Sequence, residues 1–276
     1  MGEILKSIKS LKNPLIREII QLQDKPRARK ESGLFVIEGF REISMAIQGG
    51  FTIKTILYGA HLATYFEAEK LTLLSHNKPE IIEVSREVHL RIFVRESSEA
   101  FLAIAELKDI DIKYFKLIDQ DKSRILIAES PEKPGNMGAI LRTADGVGAS
   151  AVIIANPRTD LFNANVIRSS LGCVFTLPIY TGTSSEIIQI LKKNKIEIYC
   201  AYLDASTNYD QINYPAKTAI VVGSEDKGLS EDWIHQGFQH IIIPMMGKVD
   251  SLNVSVSAGI LMYEVLRQHS LQISSK

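Results

Sequence analysis

The first functional signal in this 276-residue chain is polar: Asn136, Arg142, Ser251 and Asn253 each stand where an apolar run gives way to a helix-like pattern. Asn136 and Arg142 belong to Pro134-Gly135-Asn136-Met137-Gly138-Ala139-Ile140-Leu141-Arg142-Thr143-Ala144-Asp145, directly after the apolar run 125–128. Ser251 and Asn253 belong to Asp250-Ser251-Leu252-Asn253-Val254-Ser255, between the run 241–243 and a long apolar-periodic stretch, 256–268. Short polar side chains compete with the backbone, so Asn253 and Ser255 suit a helix start poorly if stability alone chose them; polar groups there point to a ligand. A third segment, Val221-Val222-Gly223-Ser224-Glu225-Asp226-Lys227-Gly228-Leu229-Ser230, carries two glycines that permit backbone approaches a Cβ would block.

Each segment also has a structural reading. Asn136 is a natural N-cap, Arg142 a surface ion pair, the glycine turn an ordinary strand-to-helix connection, and Ser251 an N-cap for the last helix. Six positions separate Asn136 from Arg142, so the two project differently from a helix and converge only if Asn136 sits in the turn before it. Both readings stay open at the level of these residues. A dinucleotide or P-loop fingerprint would require Gly-x-Gly-x-x-Gly or a lysine-serine glycine loop, and neither pattern is present.

The elements that must position these groups follow from hydrophobic patterning. From Arg124 onward, strand-like runs at 125–128, 151–155, 196–202, 219–222 and 241–243 alternate with helical stretches. This predicts an α/β fold with a mostly parallel sheet, whose ligands gather at the carboxyl ends of the strands. Between 34 and 107, shorter apolar bursts alternate with amphipathic stretches, which predicts a smaller N-terminal α/β domain. The predicted division is residues 1–107, a charged connection at 108–123, and a second domain at 124–276.

Composition limits the classes that remain. Hydrophobic residues make up 45% of the chain, enough for a substantial core, yet no run approaches a membrane span and the N-terminus has no secretory pattern. The expectation is a soluble, cytoplasmic protein. Cys173 and Cys200 lie far apart without His or Cys at ligand spacing, which predicts buried free thiols and no metal site. Net charge is zero, so any phosphate-binding surface must be local. The first 33 residues carry eight Lys or Arg against four acids, and Lys25, Arg27, Arg29 and Lys30 are the candidate RNA contacts, with a solvated face as the alternative.

Taken together and in order, Asn136-x-Gly138-x-x-x-Arg142-Thr143-Ala144, the Gly223–Gly228 turn and Ser251-Leu252-Asn253-Val254-Ser255 resemble the signature motifs of the SpoU-type RNA ribose methyltransferases of the SPOUT superfamily. More weakly, Arg27-x-Arg29-Lys30 and Gly33-Leu34-Phe35-Val36-Ile37-Glu38-Gly39 resemble the ribosomal-protein-like RNA-binding domain often fused to them. The resemblance implies a C-terminal trefoil knot, a homodimer, S-adenosylmethionine as cofactor and methylation of a ribose 2′-hydroxyl in RNA. Ribosomal RNA is favoured over transfer RNA because of the appended N-terminal domain. It implies a cofactor pocket at Gly223, Ser224, Glu225, Gly228, Ile243, Met245 and Leu252, with Asn136, Arg142, Ser251 and Asn253 facing the ribose. Two positions depart from the family pattern, Asp226 where many relatives have glycine and Lys133 where many have asparagine. A guanidinium is effectively always protonated, so Arg142 is expected to hold a phosphate or the developing alkoxide and not to act as a base. The competing classes are a non-catalytic RNA-binding protein on the same scaffold and, on the α/β pattern alone, a nicotinamide-dependent oxidoreductase.

Overall fold

The computed structural model describes residues 6–93, 99–117, 119 and 121–274. The chain divides into two compact units, one formed by Met1–Asp109 with Asp160–Thr176, the other by Ile110–Thr159 with Leu177–Lys276. The return of Asp160–Thr176 to the first unit has no counterpart in the hydrophobic pattern.

The first unit contains β1 (Lys6–Ile8), α1 (Pro14–Asp24), α2 (Pro26–Ser32), β2 (Leu34–Glu38), α3 (Phe40–Gln48), β3 (Ile53–Gly59), α4 (Tyr65–Leu74), β4 (Glu80–Val84), α5 (Arg86–Ile92) and β5 (Phe101–Glu106). Its sheet runs β1-β4-β3-β5-β2, with β5 antiparallel to both neighbours and the other pairs parallel. Proline at the first position and Asn13 as cap start α1, whose Ile16, Ile19 and Leu22 bury against Val36, Leu57, Ile82 and Leu102. Phe162 and Phe175, from the returning segment, complete an aromatic cluster with Phe35 and Phe51, with ring centroids 4.8 to 6.0 Å apart. Gly49 makes that contact possible, since a Cβ there would lie 2.0 Å from the Phe175 carbonyl oxygen.

The same segment corrects one of the expected RNA contacts. Arg29 is 2% exposed, donates to the carbonyls of Leu22 and Gln23, and pairs with Asp160 at 2.7 Å, so its guanidinium holds α1, α2 and the returning segment together. Lys25, Arg27 and Lys30 are exposed, and Arg27 pairs with Glu31 along the helix.

The second unit contains β6 (Ser123–Glu129), α6 (Pro134–Gly146), β7 (Ala151–Ala155), β8 (Ile179–Gly182), α9 (Ser184–Lys193), β9 (Glu197–Ala201), β10 (Lys217–Val222), α10 (Glu231–Ile234), β11 (Gln239–Ile241) and α11 (Val254–Ser274); α7 (Ala164–Ser169) and α8 (Cys173–Thr176) lie in the returning segment. Every pair in its sheet, β11-β9-β10-β6-β7-β8, is parallel. One face buries Ile125, Ile127, Ile153, Ile198 and Val221 under Ile187, Leu191 and Trp233. On the other, α11 packs on α6, β6 and β10, with Ala258, Leu261, Met262 and Val265 fully buried. The chain leaves β6 toward β7 and β8 on one side and returns through β9 and β10 on the other. The turns after β6 and β10 therefore flank a topological switch point, the place where ligands of open α/β sheets bind. Cys173 and Cys200 are free and buried. No helix among the described residues is long and apolar enough to cross a membrane.

Replacing Arg29 with alanine strands a carboxylate and two carbonyls, and should lower stability by about 3 kcal/mol in chemical denaturation. RNA affinity per folded molecule should not change. Loss of RNA affinity at unchanged stability would return Arg29 to the RNA-contacting set.

Candidate active site

The site is built at the carboxyl end of β6. Glu129, the last residue of that strand, is 3% exposed, and four donors converge on its carboxylate. Ser230 gives its backbone N–H at 2.8 Å and hydroxyl at 2.6 Å, Ser184 its hydroxyl at 3.0 Å, and Asn156 its amide at 3.4 Å. The Trp233 indole donates to Ser184 Oγ at 3.0 Å. One carboxylate thus joins the turns after β7 and β10 and the first turn of α9.

The next helix starts earlier than its cap-like asparagine suggests. Lys133 is the N-cap of α6, without a side-chain bond, and Pro134 is the first helical residue. Asn136 is therefore in the first turn of the helix, a correction to its reading as cap, and its side chain is free for other work. Its Nδ2 donates to Glu225 Oε1 at 2.6 Å, and its Oδ1 accepts from Asn253 Nδ2 at 3.1 Å. Asn253 also caps α11: its Oδ1 accepts from Ser255 N at 2.9 Å and Ser255 Oγ at 2.7 Å, and its carbonyl accepts from Val256 and Ser257. That is the place expected for Ser251, which is exposed two residues earlier. All three motif segments thus meet in one chain, Glu225–Asn136–Asn253.

Burial would raise the pKa of Glu225, but the Asn136 amide and the backbone N–H groups of Glu225, Glu132 and Lys133 outweigh it and hold the carboxyl below its ordinary range. The turn that carries Glu225 is closed by reciprocal bonds between Ser224 and Gly228, at 3.0 and 3.1 Å. Gly223 cannot be replaced without opening it, since a Cβ would lie 2.2 Å from Gly228 C, and Gly228 itself has φ +66°. Asp226 and Lys133 are exposed and leave this arrangement intact. Ile243 and Met245 are half-buried after β11, which ends at Ile241, and Leu252 is 36% exposed before α11.

Arg142 does not join this set. It is exposed, six residues beyond Asn136 on the same helix and about 240° around it, and has no hydrogen-bond or ion-pair partner among the described residues. The sequence reading also missed Glu129, Asn156, Ser184 and Ser230. Glu129 had one visible signal, an acid directly after the apolar run 125–128.

Residues 123–263 match the SpoU rRNA Methylase family, and residues 13–103 match the MRM3-like substrate binding domain. The chain belongs to the SpoU rRNA methylase family. A Staphylococcus saprophyticus protein assigned to the TrmH family of tRNA/rRNA methyltransferases is 34% identical over 239 residues, covering 85% of this chain and 96% of the relative. The 23S rRNA (uridine(2479)-2′-O)-methyltransferase of Streptomyces viridochromogenes is 27% identical over 247 residues, covering 87% of this chain and 85% of the relative. An rRNA methyltransferase from Sinorhizobium meliloti, solved with AdoMet bound, superposes with a TM-score of 0.86 at 27% identity, covering 96% of this chain and 98% of that one. The SpoU match takes in Asn136, Glu225 and Asn253 together.

The depressed pKa of Glu225 fixes the sign of a pH test. A carboxyl with a folded pKa below its unfolded one contributes stability above the unfolded value, near 4.3, and loses it as pH falls through the folded value. Glu225→Ala should therefore destabilise the protein at pH 7, and the difference from wild type should shrink below about pH 4. A difference that stays constant down to pH 3 would mean that the ionised form is not what the amide holds.

Proposed function

We propose that this SpoU family member transfers the methyl group of S-adenosylmethionine to a ribose 2′-hydroxyl of ribosomal RNA. The observation that carries the reading is the Glu225–Asn136–Asn253 chain, which joins residues 89 and 117 positions apart into one polar cluster. The names of the relatives and the substrate-binding match of residues 13–103 favour ribosomal RNA.

The residues fit such a cofactor. Ile243, Met245 and Leu252 leave apolar surface partly open, and the half-buried Gly223–Glu225 segment at the carboxyl end of β10 supplies polar and backbone groups, a combination suited to a nucleoside with a thioether arm. When bound, the cofactor supplies a methyl already activated by its sulfonium. The protein must then align the hydroxyl oxygen, which would gain the methyl, while the proton that oxygen loses passes to water. Glu225 is ionised but saturated by donors, so it fixes the Asn136 amide and does not serve as base. The Asn136 and Asn253 amides each have one N–H beyond the bonds described, two donors for an oxygen that becomes negative as its proton leaves. Arg142 supplies the permanent cation for an adjacent phosphate or the developing alkoxide, and exposed Ser251 belongs to the same ribose-facing set.

The reading extends to a homodimer, a trefoil knot and the cytoplasm. Val256 and Tyr263 are exposed apolar residues seven positions apart on α11, a stripe suited to a second copy. The knot rests on the family resemblance; the return of α11 from the edge strand β11 to β6, β10 and α6 is compatible with it. The cytoplasm follows from the substrate.

Arg142→Ala should slow single-turnover methyl transfer to 23S rRNA about 100 to 1,000-fold. Arg142→Lys should fail too, because a point charge does not reproduce the planar fork. Cofactor affinity by calorimetry should change little in either. Near-normal rates in the lysine variant would reduce the role to general positive charge, and abolished cofactor binding would move Arg142 out of the ribose-facing set.

A further inference from the structure

A cleft of about 320 Å³ opens among the turns that follow β6, β7 and β10; it shares Ser224 and Gly228 with the expected cofactor set but is not lined by Ile243, Met245 or Leu252. Two cations line it from different turns, Arg158 after β7 and Lys227 after β10. Ser130, Ser224 and Ser230 also line it. Ser130 and Asn156 both have φ +47°, a region that costs a non-glycine residue of order 1 kcal/mol or more. They stand at equivalent places just past adjacent strands. Each is held there: Ser130 N donates to Ala155 O at 2.8 Å, Asn156 N to Gly182 O at 2.8 Å, and Ser130 Oγ to Asn156 O at 3.1 Å.

Two carboxylates also lie at the cleft and decide what it can take. Glu129 lines its floor, but its acceptor capacity is used by the donors from Ser184, Ser230 and Asn156, so its charge is answered from within the protein. Glu132 pairs with Arg158. Arg158 and Glu132 are 51% and 41% exposed, and exposed pairs are worth roughly 0 to 1 kcal/mol, so Arg158 can change partner at little cost. The exchange needs no backbone movement, because Thr159 Oγ1 ties the Arg158 turn to the carbonyls of Pro131 and Glu132, at 3.0 and 2.6 Å. Lys227 is exposed and has no ion-pair partner among the described residues.

We infer that this cleft binds a backbone phosphate of the substrate RNA, next to the nucleotide being methylated, with Arg158 and Lys227 as its cations and Glu132 as the resident anion that the phosphate displaces. The inference rests on the RNA methyltransferase reading for the identity of the polyanion. A guanidinium fork and an ammonium drawn from two different turns supply the charge and the donors for a tetrahedral oxyanion, whereas the hydroxyls of Ser130, Ser224 and Ser230 already donate to Asn156 O, Gly228 O and Glu129 and are not counted among them.

The test uses the full chain, in vitro transcribed bacterial 23S rRNA, and the variants Arg158→Ala/Lys227→Ala and Glu132→Gln. The double variant should lower the slope of log affinity against log salt by roughly 0.7 to 0.9 for each phosphate no longer neutralised, and raise the KM for RNA with kcat largely retained. S-Adenosylmethionine affinity by calorimetry should be unchanged. Glu132→Gln should tighten RNA binding at low salt, a gain that a folding defect cannot produce. An unchanged salt slope in the double variant overturns the inference, as does a parallel fall in cofactor affinity, which would make the cleft part of the cofactor pocket. A wild-type protein that binds this RNA but methylates none of it would instead overturn the methyltransferase reading, and the salt slopes would still decide the cleft.

Discussion

A buried carboxyl group must be surrounded by hydrogen-bond partners, and Glu129 imposes that demand on the whole catalytic unit. Its donors come from the turn after β7, the first turn of α9 and Ser230, two residues after Gly228. None of these is near Glu129 in sequence, and the parallel sheet brings them to its carboxyl edge. Without the carboxylate, the Ser230 N–H and the Ser184 hydroxyl would lose their acceptor, and the Gly223–Gly228 turn would be anchored mainly by its own two backbone bonds. The position of Glu225 depends on that turn, and the orientation of Asn136 depends on Glu225. The polar cluster of the site is thus held in place by a group that takes no part in the chemistry assigned to it.

Topology explains why the cluster forms where it does. The sheet order β11-β9-β10-β6-β7-β8 places β6 beside β10, although the two strands are far apart in the chain. The turns that leave them diverge, one into α6 and the other into the glycine turn, and open the space that Asn136 and Glu225 share. Helix α11 returns from the edge strand and brings Asn253, its cap, to Asn136. A cap that also donates across to another helix resolves the tension visible in the sequence, where a short polar residue seemed wasted on stability alone.

Much of the catalytic unit was legible because its signals are periodic. The runs 125–128, 151–155, 196–202 and 219–222 correspond to β6, β7, β9 and β10, because parallel strands buried on both faces read as continuous apolar segments, whereas the run 241–243 meets the edge strand β11, Gln239–Ile241, only at Ile241. Strand β8, Ile179–Gly182, was missed because it is a short edge strand with only Ile179 buried. Asn136 and Ser251 were misplaced relative to their helix starts because Pro134 can open a helix without a side-chain cap and Asn253 can cap one from two residues later. Arg29 was grouped with its exposed neighbours because a basic run has no periodicity that marks one member as buried. Its partner, Asp160, lies 131 residues away in a segment that leaves the catalytic unit, a contact no local pattern announces.

The protonation state of the cluster bears on how it would favour methyl transfer. A sulfonium loses its positive charge as the methyl moves, so a bare carboxylate facing it would attract the ground state more than the transition state and oppose the reaction. Glu225 is instead engaged by an amide and by backbone N–H groups, which hold its charge and its pKa down together. Charge develops on the ribose oxygen, and the groups left for that oxygen are neutral amide donors, with the permanent cation of Arg142 outside the bonded chain. Donors that strengthen as the oxygen becomes negative stabilise the transition state selectively, whereas a strong fixed charge pair at the cofactor would stabilise both states alike. In the proposed reaction the division of labour is therefore electrostatic: Glu129 and Glu225, saturated by donors, would position, and the amides would use their remaining N–H groups on the substrate.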